Sequence, residues 1–194
     1  GYVVELTALD RINHLISFGM ADEFSFEIDF LNHSKFNTVQ IYDYTVNHKK
    51  YIYEIFKVFR RIITFRKKII DLKNALIKYY NFLKFIRNKR VKFYPLKISK
   101  EIKSDVDINL NGVFTLINKK INNIGLKIDI EGDEYNLLDS VLDNSNRINF
   151  LIIEFHNIGN NKEIFMNFMK KIINKFDIIH IHGNNHENLQ NDGF

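Results

Sequence analysis

The chain has 194 residues, 45% hydrophobic and 14% aromatic, enough for one domain with a sizeable core. It has no cysteine, which excludes disulfides and thiolate metal sites, and no apolar run approaches the roughly 20 residues of a membrane span. Gly1-Tyr2-Val3-Val4-Glu5 lacks the form of a signal peptide, so a cytoplasmic single domain over residues 1–194 is expected. The net charge of +5 is unevenly spread: residues 46–90 hold 14 of the 28 Lys and Arg but only Glu54 and Asp71 among 23 acids, placing +12 there and −7 in the remainder.

The first apolar run, His14 to Met20, predicts a strand. It leads into Ser17-Phe18-Gly19-Met20-Ala21-Asp22-Glu23-Phe24-Ser25-Phe26-Glu27, where Gly19 serves either a plain strand-to-helix turn or the close backbone approach of a nucleoside ligand. Phe24, Ile28 and Leu31 follow at helical intervals. Thr38 to Tyr44 predicts a second strand, and Asp43 at its end either accepts hydrogen bonds from ribose hydroxyls or caps a turn.

From Asn47 to Lys89 there is no proline or glycine. Ile52, Ile55, Phe59 and Ile62, then Ile69, Leu72, Leu76, Tyr80 and Leu83, recur at helical spacing, which predicts a basic helical insertion over 46–90 with a break near Thr64 to Lys68 or Asn74. Tyrosines and phenylalanines interleave with its charge. They either stack on an anionic partner such as RNA or form the apolar face of a helical pair whose lysines are solvated.

A third strand is predicted at Val91 to Leu96, a helix through Val113, Leu116, Ile117 and Ile121, and a fourth strand at Ile124 to Ile130. That strand runs into Leu126-Lys127-Ile128-Asp129-Ile130-Glu131-Gly132-Asp133-Glu134. Lys127, Asp129 and Glu131 alternate and so are expected on one side, as charges that pair with each other or bind a ligand. After a helix through Tyr135, Leu138, Val141 and Leu142, a fifth strand at Phe150 to Phe155 delivers Glu154 and His156, a histidine beside a carboxylate that suits a general base. A helix through Ile164, Phe168, Met169 and Ile172 precedes a sixth run, Asp177 to Ile181, and the segment His180-Ile181-His182-Gly183-Asn184-Asn185. Its histidines, with His186, Asp129, Glu131 and His156, have the makings of an O/N metal site. The favoured reading has no metal and gives His182, Asn184 and Asn185 to a polyhydroxylated acceptor.

Five of the six runs are continuously apolar, the pattern of strands covered on both faces, and they alternate with helices. This predicts an α/β fold with a doubly wound, mainly parallel sheet and ligands beyond the carboxyl ends of its strands.

The blocks around Gly19, Tyr42-Asp43-Tyr44-Thr45, Leu126 to Glu134, Ile153-Glu154-Phe155-His156 and His180 to Asn185 together resemble the FkbM-type family of S-adenosylmethionine-dependent methyltransferases. The resemblance implies a Rossmann-like class I methyltransferase fold with a seven-strand sheet. It also implies S-adenosyl-L-methionine as cofactor, with Gly19, Met20, Asp22, Glu23, Asp43 and Tyr44 around it, and O-methylation of a hydroxylated acceptor such as a sugar or glycan precursor. His156 is expected as the base with Asp129 and Glu131, and Lys127, Glu154, His182, Asn184 and Asn185 as acceptor contacts. The cofactor loop departs from the pattern, with Met20-Ala21 where many methyltransferases carry further glycines. The rival expectation is a catalytically inactive methyltransferase-like binding module that uses residues 46–90 to hold an anionic partner: RNA, an acidic glycan or a membrane surface.

Overall fold

The computed structural model describes residues 2, 4–117, 121 and 123–183. Among these described residues seven strands and seven α-helices follow in chain order: α1 (Leu6–Leu9), β1 (His14–Phe18), α2 (Ser25–His33), β2 (Thr38–Tyr42), α3 (His48–Ile63), α4 (Ile69–Ile86), β3 (Val91–Tyr94), β4 (Lys97–Ile98), β5 (Asp107–Ile108), α5 (Leu110–Thr115), β6 (Ile124–Ile128), α6 (Leu138–Asp143), β7 (Ile148–Ile153) and α7 (Lys162–Ile172). Five strands form one sheet in the order β3-β2-β1-β6-β7, every pair parallel. All residues of β1 and β6 are buried, because helices cover both faces of a parallel sheet. That double cover explains the unbroken apolar runs.

Two core layers result. On one face Leu15, Val39 and Ile41 pack with Phe30, Tyr51, Phe82 and Phe85; on the other Ile16, Phe18, Leu126 and Ile128 pack with Leu110, Val113, Phe114 and Val141. The chain passes from one side of β1 to the other between β3 and β6, so the order reverses at the β1/β6 boundary, where an open α/β sheet offers a crevice.

The basic segment is the crossover from β2 to β3. Parallel neighbours need a connection of a dozen residues or more, and here it is a pair of antiparallel helices parted at residues 64–68. Three expectations are corrected. All five strands of the main sheet end two residues before their apolar runs do; after β1 this is because Gly19, at φ 76°, turns the chain and Met20 is buried outside the ladder. Residues 177–181 form no strand, and Ile178, Ile179 and Ile181 are exposed: an apolar run without a neighbour to pair with does not become a strand. Among the described residues the main sheet therefore has five strands, and β4 with β5 forms a small separate parallel pair.

Candidate functional site

The site is built where β1, β6 and β7 end side by side. Asp129 N–H donates to the Phe18 carbonyl and Glu154 N–H to the Ile128 carbonyl, each at 2.9 Å, so the ladder runs one residue past the strands and sets the two acids on neighbouring tips. Gly19 is required at this junction by its positive φ and by crowding, since a Cβ there would lie 1.7 Å from the Asp129 carbonyl oxygen. The close approach that this glycine permits is to the end of β6.

Four side chains meet at the tips: Tyr2, Asp129, Glu154 and His156. The Tyr2 hydroxyl donates to Asp129 Oδ2 at 2.6 Å and to Glu154 Oε2 at 3.1 Å. His156 Nε2 stands 4.0 Å from Asp129 Oδ1 and 3.9 Å from Glu154 Oε1. The imidazole is fixed from behind by Glu134, which is fully buried: its Oε1 accepts the His156 backbone N–H at 2.6 Å and faces Nδ1 at 3.3 Å, and its Oε2 accepts the Gly132 N–H at 2.6 Å. Tyr135 donates its hydroxyl to the His156 carbonyl at 2.8 Å. Asp129, Glu154 and His156 are 29%, 28% and 19% exposed, open enough for a ligand to reach. Burial, followed by the Asp129 hydrogen bond and the charges of Asp129 and Glu154, pushes the Tyr2 phenol well above its ordinary range, so it remains a donor. One ligand atom from each of Asp129, Glu154 and His156 lies within 4.8 Å of the others, a mixed O/N set of a size to hold a divalent cation.

No family model, curated protein or solved structure matches this chain.

Asp129, Glu154 and His156 come together; other expected site residues do not join them. Lys127 is 2% exposed and is spent inside the protein, its Nζ 3.3 Å from Glu27 Oε1, 3.8 Å from Asp129 Oδ2 and donating to the Gly19 carbonyl at 3.1 Å. It supports the loop from below and is not an acceptor contact. Glu131 follows the end of β6 at φ 49° and is exposed, so the alternation that was to align it with Asp129 stops before reaching it.

Asp43 is corrected most sharply. Oδ2 accepts the N–H groups of Met20 and Ala21 at 2.9 and 2.8 Å, and Oδ1 accepts the N–H and hydroxyl of Thr45 at 2.7 and 2.6 Å. These bonds occupy the roughly four acceptor sites of a carboxylate, leaving none for ribose hydroxyls. Burial alone would raise its pKa, but bonds from Thr45, Met20 and Ala21 outweigh it and hold the carboxyl below the ordinary 3.8.

The other loop residues are divided. Met20 is buried, and Asp22 is held by Lys78 at 2.6 Å and Lys50 at 3.9 Å. Glu23 is exposed, its carboxyl lowered by Ser25, and Tyr44 is 51% exposed beside the Lys97 ammonium. His182 is exposed, its ring stacked on His180, and Asn184 and Asn185 lie outside the described residues. Tyr2, Glu27 and Glu134 were not expected at the site. Glu134 had one local signal, its place just after the Gly132 turn; Tyr2 had none, since its partners lie at the far end of the sequence.

Proposed function

We propose that this chain is an S-adenosylmethionine-dependent methyltransferase acting on a hydroxyl of an acceptor such as a sugar or glycan precursor, with Asp129, Glu154 and His156 as the acceptor site. One observation carries the reading: a hydroxyl, that of Tyr2, is already held between Asp129 and Glu154 beside an imidazole braced by a buried carboxylate. An acceptor hydroxyl in that place is oriented by the two carboxylates. His156 Nε2 takes its proton, and Glu134 at Nδ1 keeps the ring aligned and stabilises the imidazolium. Loss of that base in His156→Ala is expected to lower turnover by about 10² to 10⁴.

The donor comes from the resemblance, and when bound S-adenosylmethionine supplies an electrophilic methyl group. Glu23 and Tyr44 are exposed and so accessible to a ligand, while Asp43 does not fit the ribose role. The saturation of Asp43 favours a second reading, a binding module of the same fold without a donor.

Thermal unfolding with S-adenosylmethionine and S-adenosylhomocysteine separates the two. Ligand at 100 times its dissociation constant is expected to add about 2.7 kcal/mol of stability. A folded protein whose melting temperature moves with neither ligand would overturn the donor and leave the binding module.

A further inference from the structure

We propose that the hairpin of α3 and α4 docks on an anionic lipid surface. This goes beyond the transfer reading and stands without it. The hairpin is fastened to the body by Tyr51, Phe82 and Phe85 in the core and by the pairing of Lys78 and Lys50 with Asp22. Val58 is buried as well, and Tyr79, Leu83 and Ile86 pack against the core, so the exposed apolar side chains of the hairpin are not needed to hold it to the fold.

What they present is unusual for a solvated face. Ile52, Phe56, Phe59 and Ile63 recur at helical spacing along α3 and are all about half exposed or more, and Ile69, Leu76 and Tyr80 do the same on α4. At the tip the turn Thr64-Phe65-Arg66-Lys67-Lys68 holds Phe65 at φ 55° and 97% exposed. A left-handed backbone is costly for a bulky side chain, and here it projects a phenylalanine next to three cations. Among the described residues Arg60, Arg61, Arg66, Lys67 and Lys73 make no ion pair, so their charge is available to a partner.

Apolar anchors flanked by unpaired cations are the recognition chemistry of a surface that is both negatively charged and oily, with the side chains lodged at the headgroup boundary. Among the described residues no helix is long and apolar enough to cross a membrane, so the contact made by this hairpin is interfacial. A second copy of the chain is a poor occupant, because two such hairpins bring like charge together. RNA fits less well than lipid: Phe56, Phe59, Phe65 and Tyr80 offer rings for stacking, but the interleaved Ile52, Ile63, Ile69 and Leu76 are aliphatic and gain only from an apolar surface.

The test is sedimentation of the full chain with phosphatidylcholine vesicles, with and without about one-third phosphatidylserine, alongside a poly(U) titration. The expected result is at least about tenfold tighter binding to the anionic vesicles, weakened about tenfold in Phe65→Ser and in Ile52→Ser/Ile63→Ser, with circular dichroism unchanged. These positions are exposed, so the variants keep the core. Absence of binding to anionic vesicles, or binding that ignores both variants, overturns the proposal. Poly(U) binding tighter than vesicle binding, salt-steep and indifferent to Ile52→Ser/Ile63→Ser, overturns it in favour of nucleic acid.

Discussion

At the scale of single residues, the buried pair Lys127 and Glu27 decides how the site is held. Glu27 Oε1 takes the Lys127 ammonium at 3.3 Å and the Ser17 hydroxyl at 2.6 Å, while Glu27 Oε2 is buried with no hydrogen-bond partner among the described residues. Removing one ion of such a pair leaves the other desolvated and uncompensated. Lys127→Met is expected to cost about 3–5 kcal/mol in urea unfolding, and Lys127→Met/Glu27→Leu clearly less than the sum of the two single losses. Strict additivity would mean the ions do not act as a pair. The sequence showed part of this. The alternation Lys127, Asp129, Glu131 announced buried charge, and Glu154 with His156 announced a site. Glu27 was invisible as the partner because it sits on α2, where its surroundings read as an ordinary polar helix position. The ribose reading of Asp43 was equally reasonable from spacing. What spacing cannot reveal is that two backbone N–H groups from the Gly19 loop and one from Thr45 converge on that carboxylate.

Elements were more legible than residues, because continuous burial and helical periodicity are averages over many positions. The five parallel strands lie within two residues of the apolar runs that indicated them, and the break between α3 and α4 falls at the first of the two expected places, residues 64–68. The β4 and β5 pair was missed because two-residue strands carry no period, and the run at 177–181 misled because pairing depends on a neighbour the local sequence does not specify. The start of α3 shows how one side chain fixes an element boundary. Asn47, in extended conformation, accepts the Lys50 N–H through its side chain at 3.0 Å, relieving one of the orphan donors of the first turn. Asn47→Ala is expected to cost about 1 kcal/mol in urea unfolding, with Asn47→Asp close to the wild type. Equal losses in the two variants would show that the cap contributes nothing.

For the molecule as a whole, acid stability should fall in two stages that different groups control. His14 opens the central strand, 4% exposed, and burial, aided by the charge of Lys92, lowers its pKa from 6.5 to about 4. The unfolded chain therefore takes up a proton near pH 6.5 that the folded protein refuses until about pH 4. The stability gained from a neutral His14 is complete above pH 6.5 and declines as pH falls toward 4, by on the order of 3 kcal/mol. Asp43 acts lower. Its folded pKa lies below the ordinary 3.8, so its contribution is intact above that value and is lost as pH falls through the depressed one, when protonation breaks its hold on the Gly19 loop. His14→Gln, which cannot titrate, should flatten the decline between pH 6.5 and 4 and leave the steeper loss below it in place. Asp43→Asn should do the reverse. Urea unfolding at half-unit pH intervals reads both, and a His14→Gln profile parallel to the wild type across the upper window would remove His14 as its cause.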